Sequence, residues 1–214
     1  MGNKYSKLIA VIKSDRVSAT ILDQFENTIK NNKSLLFKTD KDANSLLHVA
    51  CKSVNFNCIV IILKHSSSYL LNPVNRNGNS AIDEVNLEHK DADIVLDLLI
   101  RTYLKYGTHF DVTKVFFNTI IHQLIASFNT FITVGINVNQ PDSYGEIAMV
   151  HAIRIKNWYI IQELIKYNAN ISIKCYDRTL YDWLKTNDVY KYVTDPIAQQ
   201  KLLEYEKISY LYVQ

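Results

Sequence analysis

The segment "DKDANSLLHVACKS" (40–53) places His48 and Cys51 three residues apart inside an apolar run. On a helix that spacing sets an imidazole and a thiol on one face, a turn apart, where they could hold two corners of a metal site. Zinc takes three or four such ligands, and the sequence has no second C-x-x-C or H-x-x-H pair to complete the set. A lone histidine on an apolar helix face is more often a hydrogen-bonded part of the core, so a scaffold role is the expectation for His48. A second constellation, "DEVNLEHKD" (83–91), gathers Asp83, Glu84, Glu88 and His89, the residue types of acid–base chemistry. A charged helix face in solvent is the simpler account of it. His109 and Asp111 are a thinner pairing of the same kind. A phosphate-binding glycine loop, a nucleophile elbow and an H-E-x-x-H pair are all missing from the sequence. The expectation is a protein that is not an enzyme and uses no cofactor, metal or small-molecule substrate.

The elements that would position these residues must come from a chain of 214 residues, 48% hydrophobic and 21% charged, which suffices for a full core and excludes global disorder. A net charge of +3 is too small to argue for nucleic acid, and none is expected as a partner. Cys51, Cys58 and Cys175 are an odd number without paired spacing, and the N-terminus lacks the apolar run of a secretory signal. A reduced, cytoplasmic setting is expected. Abundant Ile, Asn, Lys and Tyr beside only 5 Gly and 3 Pro suggest an AT-rich coding sequence, such as that of a large DNA virus, an intracellular bacterium or a protozoan parasite.

Self-similarity organises the whole chain. The segments "NSLLHVAC" (44–51), "NSAIDEVN" (79–86), "NTIIHQLI" (118–125), "EIAMVHAI" (146–153) and "RTLYDWLK" (178–185) align on Ser45, Ser80, Thr119, Ile147 and Thr179, with spacings of 35, 39, 28 and 32. Apolar residues in "IIQELIKY" and "IVLDLLIRTYL" recur at helical spacing, so each unit presents a face that only a stacked neighbour can cover. A single unit would not fold.

These residues resemble the ankyrin-repeat family, whose first helix opens with T-P-L-H-x-A after an aspartate and a glycine. The fourth unit, 142–174, carries Asp142, Gly145, Ala152, the second helix "IIQELI" and the loop "NANIS"; the first carries Asp40, Ser45, Leu47, His48 and Ala50, and the third supplies "GINVN" (135–139). Proline is missing from every motif, and Asp83, Val150 and Asp182 replace the histidine that His48 and His122 provide elsewhere. Only 17 residues separate His122 from Asn139, which predicts a clipped second helix in the third unit, while "RTYLKYGTHFDVTKVFF" (101–117) reads as an insertion in the second. The resemblance implies an all-α ankyrin-repeat solenoid of about five helix-turn-helix repeats with helical caps. Leader and N-terminal cap take 1–39, the repeats 40–174 (about 40–74, 75–112, 113–141 and 142–174), and a degenerate repeat with the C-terminal cap 175–214.

Through the family's concave face, the resemblance implies protein binding by Arg76, Asn77, Tyr144, Glu146, His151, Arg154, Tyr176, Arg178 and Trp183. Trp183 could equally pack beneath the cap, and the arginines could be merely solvated. In size and divergence the chain resembles small viral ankyrin proteins, which implies a host-protein adaptor in signalling or innate immunity, an NF-κB inhibitor-like protein among them. Separately, "MGNKYSK" fits M-G-x-x-x-[ST], with Gly2 as a site of N-myristoylation. One acyl chain binds membranes weakly, so Lys4, Lys7, Lys13 and Arg16 would have to reinforce it. A membrane-tethered endogenous scaffold is the alternative reading.

Overall fold

Apolar residues at helical spacing become helices throughout a computed structural model that describes residues 4–14, 16–107, 110–175, 178–186 and 188–211. Among the described residues the architecture is all-α save for one antiparallel pair of two-residue strands, Lys174–Cys175 and Arg178–Thr179, and the chain divides into two compact units, Met1–Asp111 and Val112–Gln214. None of the described helices is long and apolar enough to cross a membrane.

In the first unit α1 (Lys4–Ile12) and α2 (Ala19–Asn31) form the N-terminal pair, followed by α3 (Leu46–Lys52), α4 (Phe56–His65) and α5 (Ala92–Tyr106). α1, α3 and a 3-10 turn at Ala81–Glu84 stack as one layer, with α2 and α4 packed behind them as a second. α3 is buried along its whole length from Leu46 to Cys51 because it has α1 on one side, the 3-10 turn on the other and α4 behind. Tyr5 of α1 is buried and donates its hydroxyl to the Asn44 carbonyl at 3.1 Å, and the Asn55 amide reaches the Ile12 carbonyl at 3.0 Å. These two bonds join the N-terminal pair to the first repeat.

The second unit repeats the plan with α6 (Val112–Ile121), α7 (Ile125–Thr133), α8 (Ala148–Arg154), α9 (Trp158–Lys166), α10 (Leu180–Thr186) and α11 (Pro196–Leu211). α6, α8 and α10 pack in succession, α7 and α9 lie behind α6 and α8, and α11 packs on α9. Its core centres on Phe116, in edge contact with Phe131 (5.6 Å between centroids) and stacked on Phe128 (6.1 Å). Asn139 staples successive loops: its amide donates to the Asn168 carbonyl at 3.0 Å and its oxygen accepts the Asn170 N–H at 2.6 Å. Pro196 opens α11, where its missing N–H is not needed.

The turn inside each helix pair fixes the repeat register. Val54, Gln123 and Lys156 all have positive φ, and the residue after each returns its N–H to a carbonyl five positions back, at Ala50, Thr119 and Ala152. Thr119 therefore takes the place of Ala50, five residues beyond the position of Ser45. The third motif is "KVFFNT" (114–119), and Phe117 occupies the histidine position. His122 lies past the end of α6. With Lys114 in register, the spacings along Ser45, Ser80, Lys114, Ile147 and Thr179 become 35, 34, 33 and 32. The expected insertion resolves into the end of α5, a connection and the start of α6. Nor is a helix clipped, since α7 has nine residues, as α9 has.

Tyr103 is the largest fully buried side chain of the first unit, and its hydroxyl donates to the Leu71 carbonyl at 2.8 Å. Tyr103→Phe leaves that carbonyl short of a donor in a dry core. It is expected to cost about 1–3 kcal/mol, read as a lower urea midpoint at unchanged slope.

Candidate interaction surface

Three turns of one design precede the inner helices. Asp40, Asn75 and Asp142 each accept, through one side-chain oxygen, the N–H groups two and four residues ahead, at 2.8 to 3.1 Å. In each, the backbone closes between the first and fifth residues, and the fourth, Ala43, Gly78 or Gly145, has positive φ. Gly78 and Gly145 suit this left-handed conformation; Ala43 adopts it against its own preference. The turn tips stand in solvent. Arg76 and Asn77 are exposed on one, and Tyr144 is 89% exposed on another.

Neighbouring turns of the first unit are tied together. The Arg76 N–H donates to the Asp42 carbonyl at 3.0 Å, and the Asn75 amide donates to the Asn44 side chain at 2.9 Å and to Glu84 at 2.8 Å. His48 completes the link. Its Nε2 lies 3.1 Å from the Asn79 carbonyl, which only accepts, so Nε2 carries the proton and Nδ1 accepts from Ser45 at 2.8 Å. Ser45 in turn accepts the His48 N–H, a reciprocal helix cap. Burial pushes the His48 pKa down, against the pull of the Asn79 carbonyl and the carboxylates of Glu84, Asp40 and Asp83. Cys51 is fully buried and its thiol pKa is raised by desolvation; that of Cys58 is raised to about 11. His48 is a neutral structural bridge beside a protonated thiol.

The acidic cluster is not a solvated helix face. Asp83 sits in a 3-10 turn and caps it, accepting the Ser80 N–H at 3.0 Å and hydroxyl at 2.6 Å. Glu84 is half-buried and takes the amides of Asn75 and Asn79; burial works to raise its pKa, but these two donors and nearby Lys52 more than offset it. Asp182 caps Thr179 in the same way as Asp83 caps Ser80. Aspartate at the histidine position thus preserves the cap and omits the link to the next turn.

In the second unit Glu146, His151 and Arg154 come together with Asp142. His151 Nε2 lies 2.9 Å from Asp142 Oδ2 and 3.3 Å from Glu146 Oε2, and Arg154 Nη2 is 2.6 Å from Glu146 Oε1. Arg154 leads in lowering the Glu146 pKa; for Asp142, burial is outweighed by the Glu146 and Tyr144 N–H groups and by His151. His151 is 8% exposed, so within this group Arg154 faces solvent while the imidazole points inward. Trp183 is half-buried on α10. Gly2, Tyr176 and His109 lie outside the described residues, as does the side chain of Arg178. Asp111 is exposed. The sequence reading missed Asn75, legible as the counterpart of Asp40 one repeat on, and the exposed apolar residues Phe37, Tyr69 and Val74.

By sequence, the chain matches no protein-family model and no curated protein. By structure it matches solved chains that include ankyrin-repeat proteins. A chain from the complex of the predatory endopeptidase Bd0816 of Bdellovibrio bacteriovorus with immunity protein Bd3460 aligns at TM-score 0.61 and 19% identity, over 95% of this chain and 99% of that one. The ankyrin-repeat domain of Bcl-3, a member of the IκB family, aligns at TM-score 0.59 and 14% identity, over 86% of this chain and 82% of that one. EF0377, an ankyrin-repeat protein, aligns at 0.56 and 15%, over 83% of this chain and 96% of that one. The protein has the ankyrin-repeat fold.

His48→Ala removes a cap and a link between turns, and is expected to destabilise by about 1–3 kcal/mol near neutral pH. Because the folded-state pKa lies below the ordinary 6.5, the unfolded chain takes up the proton first, and this contribution declines as pH falls below that value. The stability gap between wild type and variant should shrink from about pH 7 to about pH 5, as followed by chemical denaturation. A constant gap would contradict a neutral buried His48.

Proposed function

We propose that the chain is a non-enzymatic binding module that engages a protein partner through its turn tips and the first helices behind them. Tyr144 carries this reading. It is 89% exposed on a turn whose backbone is tied down by Asp142, so a large amphipathic side chain is presented on a fixed support. Arg76 and Asn77 occupy the equivalent place in the first unit, on a turn fixed by Asn75. His48, Asp83 and Glu84, which suggested chemistry, serve as caps and links, which favours binding over catalysis. The partner we favour is a host signalling or innate-defence protein, the chain acting as a viral or pathogen factor. The fold shared with Bcl-3 makes NF-κB dimers the first to try.

A second reading has its own observation. Lys4, Lys7, Lys13 and Arg16 are all exposed, while Tyr5, Leu8 and Ile12 of α1 are buried. An acylated Gly2 beside these cations would give a reversible membrane tether, each cation adding about 1 kcal/mol next to an anionic leaflet.

Affinity purification of the tagged full chain from eukaryotic cells should recover a dominant partner. Tyr144→Ala is expected to weaken its capture about tenfold or more without lowering the melting temperature. Undiminished capture would move the interface off this turn, and absence of binding to any NF-κB dimer at micromolar concentration would remove the inhibitor-like version. For the tether, Gly2→Ala should shift the protein from the membrane fraction to the soluble one, whereas an unchanged distribution would reject it.

A further inference from the structure

Beyond protein binding, the fourth repeat holds a convergence that the turn does not require. His151 Nε2 has a single proton to offer, yet two carboxylate oxygens face it, Asp142 Oδ2 at 2.9 Å and Glu146 Oε2 at 3.3 Å. Each of these groups is held by contacts at another of its atoms. Asp142 Oδ1 is fixed by the Tyr144 and Glu146 N–H groups, at 2.8 and 2.9 Å. Glu146 Oε1 is fixed by Arg154 at 2.6 Å. The His151 ring lies on α8, with its centroid 5.2 Å from that of Phe117 in an edge-to-face contact. The facing atoms Oδ2, Oε2 and Nε2 are thus left aimed at a common point, and one ligand atom from each residue lies within 4.8 Å of the other two. Outer contacts that orient the ligand side chains are what a metal site needs from its surroundings.

We propose that Asp142, Glu146 and His151 form a binding site for one divalent first-row transition cation, with zinc the best-matched occupant. One imidazole nitrogen and two carboxylate oxygens are a borderline-soft set that suits zinc and its neighbours. Calcium and magnesium instead call for oxygen shells of about six or more ligands. Three protein ligands leave a further position for water or for a group supplied by a partner. The ring binds metal in its neutral form with the proton on Nδ1, so the Nε2 proton is given up to solvent and the nitrogen lone pair becomes free for the metal. Arg154 and the two carboxylates then leave the loaded cluster one positive charge in excess, consistent with a site open to water. His151 falls one residue beyond the position of the family's motif histidine, which here is Val150.

The test is isothermal titration of tag-free, chelator-treated full-length chain with zinc chloride, supported by the visible absorption of bound cobalt(II). The expected result is one zinc per chain with a micromolar dissociation constant. Glu146→Gln and Asp142→Asn, which keep side-chain volume, should weaken binding about tenfold or more, as should His151→Ala. Circular dichroism and melting temperature monitor the fold of each variant, and the two amide variants keep the test decisive should His151→Ala fail to fold. Cys51→Ser, Cys58→Ser and Cys175→Ser should bind as the wild type does. Absence of binding at about 100 μM zinc, some hundredfold above a 1 μM dissociation constant, would overturn the proposal. So would affinity retained in both amide variants, or lost only in a cysteine variant.

Discussion

Helix length is the constraint on which the rest depends. α3, α8 and α10 have seven residues each, about two turns, and helices this short do not persist in water without support. Their stability must come from neighbours, which is why α3 is buried at every position but its last. A helix enclosed in this way has no free face on which to place catalytic groups. Polar residues that it does carry must find partners inside the structure, since an unpaired polar group in a dry core costs about 1–3 kcal/mol. His48 answers this demand by spending both ring nitrogens, one on the helix cap and one on the adjacent turn.

Different repeats meet the same demand with different residues. Ser45 pairs with His48, Ser80 with Asp83 and Thr179 with Asp182, three caps of one geometry built with two chemistries. Aspartate is acceptor-only when ionised, so it closes the cap and cannot donate onward as an imidazole can. Where the histidine position is Phe117 or Val150 the side chain can neither cap nor link, and beside Phe117 apolar packing takes over, around Phe116, Phe128 and Phe131. The absence of a side-chain cap at Ile147 fits this picture.

The fold class was legible because helical periodicity and a period near 33 survive even where motif residues do not. Register was harder. Aligning on a hydroxyl selected Thr119, which shares its residue type with the cap position but sits five residues later, at the place of Ala50. The true position holds Lys114, with no hydroxyl to reveal it. The marker that does hold is conformational, the left-handed residue at Val54, Gln123 and Lys156, and none of these is a glycine or asparagine that sequence would flag. The candidate site was legible in part. Tyr144, Arg76 and Asn77 were expected at exposed turns, where aspartate or asparagine followed by glycine announces the geometry. The inward aim of His151 was hidden, because it depends on which face of α8 meets the Asp142 turn, and a helix seven residues long carries too little periodicity to say.

Asp142 links the two features of the fourth repeat. Its Oδ1 holds the backbone on which Tyr144 stands, and its Oδ2 faces His151. A cation held between Oδ2, Glu146 Oε2 and His151 Nε2 would therefore join the first and fifth residues of the turn through their side chains, adding to the backbone bond from the Asp142 N–H to the Glu146 carbonyl at 2.8 Å and the bond from the Glu146 N–H to Asp142 Oδ1 at 2.9 Å. A third closure of one five-residue turn would further reduce the freedom left to its tip. On the proposed reading, a partner landing on Tyr144 would meet a side chain whose support is already ordered, and the entropy lost on binding would be confined largely to the ring itself. The polar cluster and the exposed aromatic are in this sense one device, in which the buried half sets how firmly the exposed half is held.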